Sequence, residues 1–178
     1  FYSWGHTYND SNNVIPLPSP YLSKLIDSYS YNIMNNNVVF AGTTIGKYFR
    51  RFDSYFLPED IVLYFNSKKE FLNVLLGKIK KDIIYCPRNE IGWQEVDGFK
   101  EMFPEIQYDI KRRFIDLMRK AKIAVVDHPA TAFLEALTIN APTVLYWDHD
   151  IFHMRTEAEP YFQSLRDSGI LYKNPVSA

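Results

Sequence analysis

From Val38 to the C-terminus, short apolar β-branched runs alternate with longer stretches in which apolar residues recur every three or four positions. Such alternation is the pattern of βα units, in which each strand returns through a helix to lie parallel to a neighbour. It predicts an α/β domain, a three-layer sandwich around a parallel, Rossmann-like sheet of about five or six strands. The strands are expected at Val38–Ala41, Ile83–Cys86, Ile106–Tyr108, Ile123–Val126, Thr143–Tyr146 and Ile170–Tyr172. Between them, Ile61, Phe65, Leu72, Leu76 and Ile79 share one helical face, although Ile61–Phe65 alone reads equally as a strand. Further helices are expected around Phe99–Phe103, Phe114–Ala121 and Ala132–Ile139, the last with Asn140 as a left-handed cap. A final helix is expected to open on a Thr156/Glu159 capping box and to close at Gly169.

Residues 1–37 differ in texture: they are rich in Asn, Ser, Tyr and Pro, and Pro16, Pro18 and Pro20 argue against a regular helix there. They read as an extended interdomain segment leading into a domain at residues 38–178. The chain begins at Phe1 and not at a methionine, so it is expected to be a piece of something longer. Twenty basic side chains against 21 acidic ones lack the positive field of a protein that lives on phosphate backbones, so nucleic acid is not an expected partner. A single cysteine, Cys86, allows no internal disulfide and no cysteine zinc site, which makes the cytoplasm the expected compartment. No apolar run approaches the ~20 residues that span a bilayer.

In an open parallel sheet, ligands bind at the carboxyl ends of the strands, where the strand order reverses. At those ends the sequence places Gly42 and Thr43, then Arg88, then the run Asp127 to Thr131, then Trp147 and Asp148. Turn chemistry alone selects many of these residue types, but Arg88 offers a planar donor fork suited to phosphate or carboxylate. The richest stretch is DHPATAFLEALTINAP, residues 127–142. Pro129 suits a helix start, and the free N–H groups around Ala130 to Ala132 then make a phosphate seat, helped by the Thr131 hydroxyl. Glu135, one turn beyond Thr131, lies where a carboxylate accepts bonds from two ribose hydroxyls, or where it is simply solvated.

These residues carry a resemblance. The D-x-x-x-T-x-x-x-E-A-L-x-x-x-x-P arrangement from Asp127 to Pro142 resembles the donor-binding helix of GT-B glycosyltransferases and of the related sugar-nucleotide 2-epimerases. The tail WDHDIFHMRTEAEPYFQSLRDSGILY is similar to that of a bacterial family of transferases for surface carbohydrates, and FYSWG with VIPLPSPYL resembles that family's passage out of its N-terminal domain. The resemblance implies the nucleotide-sugar-binding half of a two-domain glycosyltransferase that serves a surface polysaccharide or lipopolysaccharide. It implies donor contacts at Gly42, Thr43, Arg88, His128, Ala130, Thr131 and Glu135, no resident metal or organic cofactor, and a glycan or glycolipid acceptor held by the absent domain. His128-Pro129 is similar to the HP pair that meets the CMP phosphate in GT-B sialyltransferases, which implies a CMP-linked donor. It also implies work at the inner face of the membrane. No catalytic residue is assigned within the chain. The alternatives are a nonhydrolysing sugar-nucleotide epimerase half and a noncatalytic α/β interaction module.

Other motifs weigh less. Asp148-His149-Asp150 imitates a D-x-D metal motif in the wrong sheet context, and His149 with His153 lacks a third zinc ligand. Cys86 reads as a buried small hydrophobe. The cluster Lys111, Arg112, Arg113, Arg119, Lys120 and Lys122 reads as a solvated helix face more than as an anionic docking surface. Trp147 reads as packing for the last helix more than as a platform for a base.

Overall fold

The computed structural model describes residues 2–4, 13–46, 56–79, 81–87 and 93–178. The leading segment holds two short parallel strands, β1 (Tyr2–Trp4) and β2 (Ile15–Leu17), followed by a helix, α1 (Pro20–Ser28). That helix corrects the expectation of a helix-free segment. Pro20 occupies the first helical turn, where a missing N–H costs nothing, and the Ser19 side chain accepts from the Leu22 N–H at 3.4 Å. The helix is anchored by Leu25, which is buried with Ile115, Met118 and Ala136.

The main sheet contains β3 (Val38–Gly42), β4 (Ile83–Pro87), β5 (Gln107–Tyr108), β6 (Ile123–Val126), β7 (Thr143–Tyr146) and β8 (Leu171–Tyr172). All its pairings are parallel, in the spatial order β5-β4-β3-β6-β7-β8. This is the doubly wound order, whose reversal point lies between β3 and β6. Every position of β3 and β4 is buried, as expected of central strands covered on both faces.

The covering helices are α2 (Pro58–Lys78), α3 (Glu95–Met102), α4 (Phe114–Met118), α5 (Thr131–Thr138) and α6 (Glu159–Asp167). On one face Phe40, Tyr85 and Tyr146 pack against Phe71 and Leu72 of α2 and Phe99 of α3. On the other, Ala124 meets α1, α4 and α5, while Val126, Leu145 and Trp147 meet Phe133 of α5 and Phe162 of α6. The result is the three-layer sandwich expected. Asn140 and Gly169 adopt φ of 55° and 66°, the left-handed stops foreseen for α5 and α6.

The Thr156/Glu159 capping box is not formed. A 3-10 turn over Thr156–Ala158 precedes α6, so Glu159 is the first α-helical residue and turns its carboxylate to Arg166. Among the described residues, no helix is long and apolar enough to cross a membrane.

Candidate functional site

At the reversal point the chain leaves β3 and β6 toward opposite faces of the sheet, which opens a cleft between their carboxyl ends. The cleft measures about 460 Å³ and is walled by Gly42, by the turn after β5, and by the start of α5 with His128, Thr131 and Glu135. Of the residues picked out in the sequence, Gly42, His128, Ala130, Thr131 and Glu135 share this cleft. Thr43 does not line it, and Arg88 lies outside the described residues.

The α5 wall begins with a buried pair. Asp127 follows β6 and is 1% exposed; its Oδ1 lies 2.7 Å from His128 Nδ1. That contact occupies Nδ1, so Nε2 is the ring nitrogen left to a ligand. The chain then turns through Pro129, and Ala130 stands at the N-cap with no side chain to satisfy the first turn of α5. The N–H groups of that turn are open to an acceptor from the cleft. One turn later Glu135 accepts a hydrogen bond from the Tyr21 hydroxyl of α1. Burial and then that carboxylate push the Tyr21 phenol up to about 12, so it stays a donor at neutral pH.

The β3 wall is built differently. Both backbone groups of Thr43 are engaged from α2: its N–H donates to the Tyr64 hydroxyl at 3.1 Å, and its carbonyl accepts from Lys68 Nζ at 2.6 Å. Lys68 is completely buried; its ammonium lies over the Tyr64 ring at 4.2 Å and pairs with Glu95 Oε1 at 2.8 Å. The Tyr85 hydroxyl donates to the same oxygen at 2.7 Å. The first loop is thus clamped by an ion pair and two phenols, and its Thr43 amide is not free to cradle a phosphate. Burial, with the nearby charges of Asp127 and Glu95, drives the Tyr64 and Tyr85 phenols well above their ordinary pKa. Gly42 is required by this packing, since a Cβ there would sit 2.4 Å from the Tyr85 hydroxyl.

Cys86 also borders the cleft, and burial pushes its thiol from 9.0 up to about 11, with the Asp109 charge adding to the shift. The native state therefore binds this proton more tightly than the unfolded chain, so the thiol's contribution to stability is complete below pH 9 and is lost as pH rises toward 11. Near neutrality the native thiolate population is about 100-fold below that of the unfolded chain, and alkylation by iodoacetamide at pH 8 should slow accordingly. Equal rates in native buffer and in urea would show the thiol to be accessible and unshifted.

Two residues at the site, Tyr21 and Lys68, have no signal in the sequence reading, and the basic cluster takes a different place from the one expected. Tyr21 belongs to a helix hidden by the proline reading. Lys68 breaks an apolar stripe, so periodicity passes over it. Lys111, Arg112 and Arg113 lie in the turn before α4 and line the cleft, not a helix face. Trp147 is 1% exposed and packs edge-on against Phe162, as a core residue. Asp148 Oδ1 caps its own turn at the Asp150 N–H, and no cluster of three metal-ligating side chains occurs among the described residues.

A doubly wound parallel sheet with a polar cleft at its reversal point makes this a Rossmann-like α/β domain. The chain belongs to the LIC12162 family transferase group, whose family model matches residues 1–178. By that membership it is a transferase. No curated protein and no solved structure matches the chain.

Proposed function

We propose that this chain is the donor-binding half of a GT-B glycosyltransferase, which holds a nucleotide-activated sugar for transfer to a bacterial surface polysaccharide or lipopolysaccharide. The observation that carries the reading is the meeting, in one cleft, of an uncapped helix start and a carboxylate one turn along it. In this reading the donor phosphate rests on the N–H groups after Ala130, within reach of the Thr131 hydroxyl and His128 Nε2. Glu135, oriented by Tyr21, takes the ribose hydroxyls. As the glycosidic bond to the phosphate breaks, negative charge grows on the leaving group. Fixed donors at a helix N-terminus stabilise that charge without having to reorganise. The HP pair favours a CMP-linked donor. The base that activates the acceptor hydroxyl belongs to a separate N-terminal domain that binds the glycan or glycolipid, at the inner face of the membrane.

Calorimetric titration with CMP, UDP and their sugar conjugates, on the native chain and on Glu135→Ala, tests the assignment. Loss of the carboxylate should cost about 1.5–3 kcal/mol of binding, the worth of a hydrogen bond to a charged group. Equal affinity would remove Glu135 from the site. Absence of nucleotide binding by the folded chain, joined to its acceptor domain, would sink the donor reading.

A further inference from the structure

The turn after β5 is organised around one carboxylate. Asp109 Oδ1 accepts the N–H groups of Lys111 at 3.1 Å and of Arg112 at 2.9 Å, while Oδ2 takes Arg112 Nε at 2.5 Å. Partial burial works against the charged form of Asp109, but these hydrogen bonds outweigh it and hold the group below its ordinary pKa. Arg113 is fixed in turn by Asp116, through Nε at 2.9 Å and Nη2 at 3.1 Å. Both guanidinium charges are therefore met in place. The Lys111 ammonium has no carboxylate within ion-pair distance among the described residues.

Lys111 lines the same cleft as the start of α5, where Glu135 is the sole carboxylate among the described lining residues. His128, more than nine-tenths buried, lines it too; its Nδ1 is taken by Asp127, and its Nε2 has no partner among the described residues. An exposed cation without an ion-pair partner among the described residues, the outward ring nitrogen of a nearly buried histidine and an uncapped helix start thus converge on one concave surface.

We propose that Lys111 is an anion contact of this cleft, separate from the seat at α5, and that the cleft takes a ligand carrying at least two negative charges. A lone helix N-terminus is matched by about half a unit charge. Lys111 supplies the full positive charge that a second anionic group requires. The inference deepens the donor-site reading by specifying the charge of the ligand, and it rests on that reading only in using the same cleft.

The test uses inorganic pyrophosphate and inorganic phosphate as probes, followed by calorimetry and by amide shifts in ¹H–¹⁵N spectra. Pyrophosphate should bind more tightly than phosphate and should move the amides of Lys111, Thr131 and Ala132. Lys111→Ala should weaken pyrophosphate at least tenfold, and Lys111→Arg should retain most of the affinity. Lys122→Ala, an exposed change at the amino end of β6, should leave it unaltered. Equal affinity in Lys111→Ala and native protein, or an equal loss in Lys122→Ala, would overturn the proposal. The two readings separate cleanly. Lys111-dependent pyrophosphate binding without any nucleotide-sugar binding leaves this inference standing and removes the donor reading; nucleotide-sugar binding indifferent to Lys111→Ala does the reverse.

Discussion

Lys68→Met should lower the free energy of unfolding by about 3–5 kcal/mol, the cost of removing one member of a buried ion pair and stranding the other. The ammonium is fully buried and satisfies the Thr43 carbonyl and Glu95 together, so its removal leaves a nearly buried carboxylate that, among the described residues, has only the Tyr85 hydroxyl to meet it. Glu95→Gln should cost a comparable amount for the converse reason. The double variant should recover much of the loss, because two uncharged side chains strand no charge. Urea titrations of the three proteins check this, and high salt should not blunt the difference, since a buried pair is poorly screened. A change below about 1 kcal/mol for Lys68→Met would mean that the pair behaves like an exposed one.

The second large effect is expected at Gly42. A methyl group there would approach the Tyr85 hydroxyl at 2.4 Å and two ring atoms at 2.7 and 2.9 Å. The ring cannot swing aside, because it is fully buried edge-on against Phe99 and Tyr108 and its hydroxyl is tied to Glu95. Gly42→Ala should therefore destabilise by about 1–3 kcal/mol or more, as overpacked cores do. Removing the nearest atom with Tyr85→Phe should relieve part of that penalty, which a double-mutant cycle reads as coupling. A Gly42→Ala protein as stable as the native chain would show that β3 yields to the strain.

These two positions also show what the sequence could and could not disclose. The central strands were legible because each is a continuous apolar run; β6 and β7 match their expected bounds residue for residue. The α5 wall was legible too, since Asp127 through Glu135 are close in sequence and a helix start is a local event. The opposite walls were not. Lys111 and Arg113 come to the cleft through the order of strands, which no local pattern encodes, and Lys68 sits where apolar periodicity expects a hydrophobe. The sequence resemblance makes Gly42 a ligand contact, yet its lack of a side chain answers first to Tyr85. The helix at Pro20 runs against the proline pattern because the last of the three prolines stands in a first helical turn, where a helix accepts one. Thr156 and Glu159 had capping-box spacing, but an intervening 3-10 turn moved the α-helical start to Glu159.

The placement of α1 has a mechanical side. Leu25 is embedded with Ala136 of α5, Tyr21 grips Glu135, and the stretch that follows is stitched to the turn before β6 by the Tyr31 hydroxyl on the Ala121 carbonyl and by the Asn32 N–H on the Arg119 carbonyl. A pull or twist arriving along the chain ahead of Pro20 therefore loads the helix carrying Thr131 and Glu135 before it loads the sheet. The leading segment is thus mechanically in series with the wall of the cleft that carries Thr131 and Glu135.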